Sequence, residues 1–210
     1  MGICYIIGAG DCAPLTFTPQ PGDFVIAADA GLRYLEKAGM QPDLIVGDFD
    51  SLGYVPQFAP VKRLPVIKDE TDLQKAVDVA IDRGYRTFRI YGALGGARLS
   101  HTVANLQMLC DLAARGMDAV LFAPELTAYA LHNGKLTLPS RLCGFVSVFA
   151  ANDVCTGVTI RGLKYELAGE TLRSNFALGV SNEFIGKQAE ISVEDGTLLI
   201  LVEELAVDIF

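Results

Sequence analysis

The sequence predicts an α/β protein, with an N-terminal mostly parallel sheet carrying helices on both faces and a smaller C-terminal antiparallel β domain. Three observations carry this expectation. Apolar, β-rich runs end in acidic or glycine residues, as in Phe24-Val-Ile-Ala-Ala-Asp29, Leu44-Ile-Val-Gly-Asp48-Phe-Asp50 and Phe88-Arg-Ile-Tyr-Gly-Ala-Leu-Gly-Gly96. Such runs read as strands buried on both faces, the pattern of parallel sheets, and amphipathic stretches between them supply the crossovers. Beyond Pro124 the texture changes to short alternating segments punctuated by Gly, Asn and Asp, which reads as a small antiparallel sandwich or barrel.

Taken in order, strands are expected at 3–7, 24–28, 43–46, 63–67, 87–91 and 118–122. After the fourth, Thr71 is the expected N-cap of a helix in which Leu73, Ala76, Val77, Ala80 and Ile81 recur at helical spacing until Gly84 ends it. A second helix is expected from about Leu99 to Arg115, with Val103, Leu106, Cys110 and Ala113 on its apolar face and Gly116 after it. Further on, strands are expected at 145–149, 157–160, 189–193 and 197–202. The boundary falls near 124–135, giving domains of 1–125 and 126–210.

Composition narrows the function classes. With 51% hydrophobic residues, 210 residues suffice to build real cores. A net charge of -8 and no Lys/Arg cluster argue against nucleic-acid binding, which needs a basic stripe to displace counterions. Five cysteines form no CxxC pair and leave one unpaired under any disulfide scheme, so a reducing cytoplasm is the expected compartment. No apolar run reaches the roughly 18 residues of a membrane span, and Ile6 stands where a myristoylation signal at Gly2 needs Ser or Thr.

Parallel sheets put ligands at the carboxyl ends of their strands, so the carboxylates and glycines that end these runs converge on one edge. Carboxylates hold hard cations and glycines let backbone approach phosphate, which points to metal-assisted phosphate chemistry. Asp48 and Asp50, two residues apart in an extended segment, point to the same side and suit a shared divalent cation, with Asp29 and Asp72 expected on the same edge. As turn residues alone they would need no explanation. In Lys68-Asp69-Glu-Thr71-Asp72, the helix N-terminus and Lys68 are suited to phosphate oxygens and Asp72 to the metal; Asp72 also suits the helix dipole without any ligand.

Gly92 through Arg98, followed by Ser100, His101 and Asn105, is a glycine-rich strand-to-helix turn with a guanidinium able to grip phosphate bidentately. It is not a Walker A loop, since no Gly-Lys-Ser/Thr follows. Gly8-Ala-Gly10-Asp-Cys-Ala13 fits a loose dinucleotide fingerprint, with Asp29 near its acidic position. That fingerprint requires a helix, and residues 11–23 carry Pro14, Pro19 and Pro21 without helical periodicity. The glycines still leave backbone free to face a nucleotide.

In their shared order these segments resemble the thiamine pyrophosphokinase family over nearly the whole chain. Ala28-Asp29-Ala-Gly31 with Pro42-Asp43 through Ser51 is similar to its first signature, Lys68 to Asp72 with Lys75-Ala76 to its second, and Gly92 to His101 with Ala104-Asn105 to its third. Gly162-Leu-Lys-Tyr165 and Gly179-Val-Ser181-Asn182-Glu183 resemble its C-terminal signatures. The resemblance implies a Rossmann-like ATP-binding domain, a thiamine-binding β-sandwich, and a homodimer with thiamine at the subunit interface. It implies transfer of pyrophosphate from ATP to thiamine, giving thiamine diphosphate and AMP, with Mg2+ as the cofactor.

Carried onto this chain, Asp48, Asp50 and Asp72 match the magnesium-binding carboxylates and, with Arg98, the catalytic set. Asp29, Lys68, Asp69, Thr71, Gly95, Gly96, His101 and Asn105 fall around the nucleotide; Ser100, Ser181 and Asn182 fall on the thiamine side, the last two at the pyrimidine. The third motif departs from the family's Gly-Gly-Arg, any residue, Asp-His: Ala97 is an extra residue and Ser100 stands in the aspartate's place. A serine hydroxyl supplies no negative charge to a metal or a cationic substrate. Two other readings stay open: a DxD-dependent nucleotide-sugar transferase and a non-catalytic sensor of thiamine or nucleotide.

Overall fold

The computed structural model describes residues 2–48, 59–63 and 70–204, which form a mixed α/β architecture rich in strands and with few helices. The chain divides into two compact units, one of residues 1–108 and 117–124 and one of residues 109–116 and 125–210.

In the first unit, β1 (Cys4–Ile7), β2 (Phe24–Ala28), β3 (Leu44–Gly47), β4 (Val61–Arg63), β5 (Thr87–Tyr91) and β6 (Asp118–Ala123) pair in the order β6-β5-β1-β2-β3-β4. Every pairing is parallel. The apolar runs have the burial their composition calls for. Tyr5 and Ile7 pack in a cluster with Leu32, Leu35 and Ile45, while Cys4 and Ile6, on the opposite face of the same strand, are fully buried as well. Each large aliphatic chain so buried contributes on the order of 1.5–3 kcal/mol. The strand expected at 63–67 reaches beyond the described residues; what is described there is β4.

Helix α2 (Asp72–Asp82) begins and ends as its sequence directs. The Thr71 hydroxyl accepts a hydrogen bond from the backbone N–H of Gln74 at 3.1 Å, and the Gly84 N–H closes the C-terminus on the carbonyl of Ile81 at 2.8 Å. Helix α3 (Leu99–Ala114) also lies where expected, but its buried side is different. Asn105, Met108, Leu109 and Leu112 are buried, whereas Val103 is 48% exposed. Apolar residues run round this helix, so spacing alone leaves the phase of the buried stripe open. Helix α1 (Leu32–Lys37) has no counterpart in the sequence reading; at six residues between Gly31 and Gly39 it is too short to show a period.

Residues 12–23 form no helix, in keeping with their three prolines. Phe17 from this segment instead stacks on Tyr5, with ring centroids 3.9 Å apart and planes at 5°, and touches Tyr91, which stacks on Phe122. An aromatic ladder covers the sheet where a dinucleotide-binding fold would place its first helix.

The second unit is antiparallel. Its strands are β7 (Leu126–Leu138), β8 (Phe145–Ala150), β9 (Val154–Arg161), β10 (Leu167–Arg173), β11 (Gly179–Glu183) and β12 (Ala189–Glu203). Strand β12 pairs with β7 along its length, with β9 through its first part and with β8 through its second. The sequence reading splits β12 at Asp195-Gly196 as if at a turn. The structure holds a register shift there instead: Gly196 has φ +115°, and its N–H donates to the Asn133 side chain at 2.8 Å. Leu138, Val146, Ile160, Ile191, Leu198 and Ile200 belong to the core of this unit.

All five cysteines are free. Burial pushes the thiol of Cys4 up to about 12 and those of Cys12 and Cys110 to about 11. Little thiolate then forms at neutral pH, and thiolate is the reactive species. Iodoacetamide at pH 7.5 is therefore expected to label exposed Cys143 well ahead of those three, by peptide mapping; Cys12 reacting as fast as Cys143 would contradict the burial seen here. Among the described residues, no helix is long and apolar enough to cross a membrane.

Candidate active site

Open α/β sheets bind ligands at the carboxyl ends of strands, at the point where connections leave to opposite sides. Here the chain after β1 leads to β2 on one side, and the chain after β5 leads to β6 on the other. The residues that follow these two central strands run side by side and together line a cleft: Gly8, Ala9 and Gly10 after β1, and Gly92, Ala93, Gly95 and Gly96 after β5. The Gly8 N–H donates to the Tyr91 carbonyl at 2.7 Å and the Gly10 N–H to the Gly92 carbonyl at 2.8 Å. Only glycine fits at position 92. Its φ is +64°, and a Cβ there would lie 2.3 Å from the Gly8 carbonyl oxygen.

Asp29 lines the cleft just past β2, in an unusual state. Its backbone is left-handed at φ +48°, and its Oδ1 is buried without a hydrogen-bond partner among the described residues. A buried polar atom left unsatisfied costs about 1–3 kcal/mol, and left-handed backbone outside glycine adds strain. Both costs fall on a side chain that lines the cleft, which is where ligand-serving strain gathers.

Thr71, Asp72 and Leu73 bring the start of α2 to the same cleft, and Arg98, His101 and Asn105 bring the start of α3. Arg98 is exposed and His101 half-buried. Asn105 is buried, with its Nδ2 donating to the Ala93 carbonyl at 2.6 Å, so it ties α3 to the turn after β5. Ser100 sits exposed in the first turn of α3, between Arg98 and His101. Asp48 is half-buried just past β3. Asp50, Lys68 and Asp69 lie outside the described residues.

Among the described residues, no group of three or more His, Cys, Asp or Glu side chains is arranged to hold a metal. The unsatisfied Asp29 oxygen, with Asp72 on the same cleft, is nonetheless a donor set of the hard-oxygen kind that suits Mg2+.

Ser181 and Asn182 lie on β11 in the second unit. Ser181 is left-handed at φ +57°, and its N–H donates to the Ser147 hydroxyl at 3.1 Å. Asn182 is buried and engaged at both ends of its amide: Nδ2 donates to the Tyr165 carbonyl at 2.6 Å, and Oδ1 accepts from the N–H groups of Tyr165 and Glu183 at 2.9 Å each. In this arrangement Asn182 holds the backbone of Tyr165, whose side chain is exposed. Nearby, the Lys164 ammonium bonds Glu183 at 2.7 Å, and that hydrogen bond holds its pKa above the usual lysine value.

The candidate site residues from sequence leave out Gly8, Ala9, Gly10, Ala28, Leu73, Gly92, Ala93 and Ala97, which also line the cleft. For three of them the signal is the Gly8-Ala-Gly10 spacing, whose backbone the sequence already leaves free to face a nucleotide.

Fold and cleft together define a class: α/β proteins with a glycine-lined cleft at the switch point of a parallel sheet. Within it, residues 20–121 match the model of the thiamin pyrophosphokinase catalytic domain, and residues 129–198 that of the thiamin pyrophosphokinase vitamin B1 binding domain. The chain belongs to the thiamine pyrophosphokinase family. It is 26% identical over 183 residues to the thiamine pyrophosphokinase of Bacillus subtilis (strain 168), covering 84% of this chain and 85% of that one. A crystal structure of thiamin pyrophosphokinase from Geobacillus thermodenitrificans superimposes with a TM-score of 0.83 at 26% identity, over 98% of this chain and 99% of that one. The Bacillus subtilis thiamine pyrophosphokinase structure superimposes with a TM-score of 0.85 over 97% of this chain and all of that one; at 23% identity it speaks for the fold alone.

Proposed function

We propose that the cleft lined by the glycine turns after β1 and β5 holds the phosphates of ATP, and that pyrophosphate passes there to the hydroxyl of thiamine, giving thiamine diphosphate and AMP. The observation that carries this reading is the coincidence, at one switch point, of two glycine segments, two helix starts, the Arg98 guanidinium and the unsatisfied Asp29 carboxylate. The family match sets aside the nucleotide-sugar transferase.

In the proposed reaction the thiamine oxygen forms a bond to the β-phosphorus, the bond from that phosphorus to the oxygen bridging it to the α-phosphorus breaks, and AMP leaves with the bridging oxygen. The hydroxyl proton passes to a carboxylate of the site. Such a transfer asks the protein for positioning and charge neutralisation more than for covalent chemistry. Arg98 and Lys68 grip phosphate oxygens, and Asp69, Thr71, Gly95, Gly96, His101 and Asn105 serve the nucleotide. When bound, magnesium supplies neutralisation of phosphate charge, held by Asp48, Asp50 and Asp72 with Asp29 close by.

We assign the catalytic role to a Rossmann-like domain of residues 1–125, and thiamine binding and dimerisation to a β-sandwich of residues 126–210. The parallel pairings of the first unit and the antiparallel pairings of the second support that division. Ser181 and Asn182, with Ser100, serve the thiamine side, Asn182 by holding Tyr165; a homodimer with thiamine at its interface and a cytoplasmic location complete the proposal. Five free cysteines suit that reducing compartment.

Ser100 supports a second reading, a sensor that binds without turnover, since the family's third-motif aspartate is absent. Turnover by the wild-type protein separates the two, and mutation tests the metal set. Asp50→Ala is expected to cut turnover at least about 100-fold, the scale of losing one electrostatic group at a reacting centre, with the circular dichroism spectrum unchanged. Near-normal turnover of that variant would remove Asp50 from the metal set. Tight thiamine and ATP binding by the wild-type protein without AMP release would select the sensor.

A further inference from the structure

We propose that Asp11 is a positioning residue for ATP: its carboxylate latches the β1 loop to the turn that carries Arg98. The observation is a continuous zipper between the two glycine segments. After the Gly8 and Gly10 bonds, the Asp11 N–H donates to the Leu94 carbonyl at 2.9 Å, and Asp11 Oδ2 then accepts from the Gly96 N–H at 3.0 Å. Among the described residues this last link is the only one of the zipper made by a side chain, and it falls two residues before Arg98. The turn is shaped round it: Gly95 has φ +68°, and a Cβ there would lie 2.0 Å from Asp11 Oδ2. From the other side, the Tyr34 hydroxyl donates to the Gly10 carbonyl at 2.8 Å, anchoring the loop that offers the carboxylate.

Two successive left-handed glycines, Gly95 and Gly96, have many alternative conformations available. A carboxylate on the Gly96 N–H selects one of them, and with it the direction from which Arg98 and the start of α3 meet the cleft. Asp11 is exposed and is not needed to fill a core. Its contribution is therefore to binding geometry, through a charge-assisted bond that an asparagine oxygen reproduces in part.

This inference rests on the cleft being the nucleotide site. The test is steady-state kinetics with ATP, magnesium and thiamine for wild type, Asp11→Ala and Asp11→Asn, with thermal midpoints alongside. Asp11→Ala is expected to raise KM for ATP about 10-fold with KM for thiamine unchanged, and Asp11→Asn to stay within about 3-fold of wild type. A lowered midpoint in Asp11→Ala with KM for ATP unchanged would make the latch merely structural and overturn the proposal. Equal defects in both variants would also overturn it, since the acceptor would then not be what matters. Wild-type protein with no saturable dependence on ATP defeats the nucleotide reading itself, a result visible before either variant is compared.

Discussion

Asp29→Asn is expected to lower kcat/KM about 100-fold while leaving the unfolding midpoint unchanged or raised by about 2–4 °C. The two halves of this expectation have separate causes. Stability is not lost because the buried Oδ1 has no partner to lose among the described residues, and asparagine tolerates the left-handed backbone that Asp29 already adopts. Activity is lost because the amide cannot give a cation or a hydroxyl proton what a carboxylate gives. Residues that cost the fold stability and line a cleft are the ones expected to trade stability for function. Thermal melts and ATP kinetics on one preparation check both halves. A fall of several degrees with turnover retained would make Asp29 a structural residue.

Gly92→Ala is expected to destabilise the protein by about 2–4 kcal/mol and to abolish ATP-dependent turnover. A methyl group at this position meets the Gly8 carbonyl oxygen at 2.3 Å, and the backbone it must adopt has φ +64°. Neither obstacle can be relieved by rotating a flexible side chain, because both lie in backbone. The two glycine segments would have to part, breaking the Gly8 and Gly10 bonds that close the floor of the cleft. At this chain length the loss corresponds to a midpoint lower by about 10 °C, read by calorimetry. An unchanged midpoint would mean that the segments are free to separate.

The parallel half of the fold was legible because its strands are continuous apolar runs and its longer helices carry caps. Thr71 and Gly84 bound α2 as their chemistry requires. Less legible was anything that depends on tertiary partners. The buried side of α3 could not be phased while apolar residues lay all round it, and α1 was too short to declare itself. Strand β12 reads as two strands because Asp195-Gly196 is a turn signal locally, and only its pairing with β7 shows a bulge.

The site divides in the same way. Gly95, Gly96, Arg98 and Asp72 could be picked out by residue type and by their place at strand ends, and the structure brings them to one cleft. What sequence could not show is which polar residues are committed to the protein itself. Asp43, inside the first signature, accepts the Val25 N–H at 2.8 Å at the start of β2. Asn105 and Asn182 likewise spend amide groups on backbone. Asp29 is the reverse case: an ordinary acid in the sequence, and in three dimensions a residue on left-handed backbone whose buried Oδ1 lacks a partner among the described residues.

The most direct test of the central claim is a product assay: purified protein with ATP and magnesium, with and without thiamine, following AMP and thiamine diphosphate in the same sample. AMP is expected to depend on thiamine and to match thiamine diphosphate one for one, with Ser100 tolerated in the third motif. ATP binding without AMP, or AMP formed equally without thiamine, would contradict it.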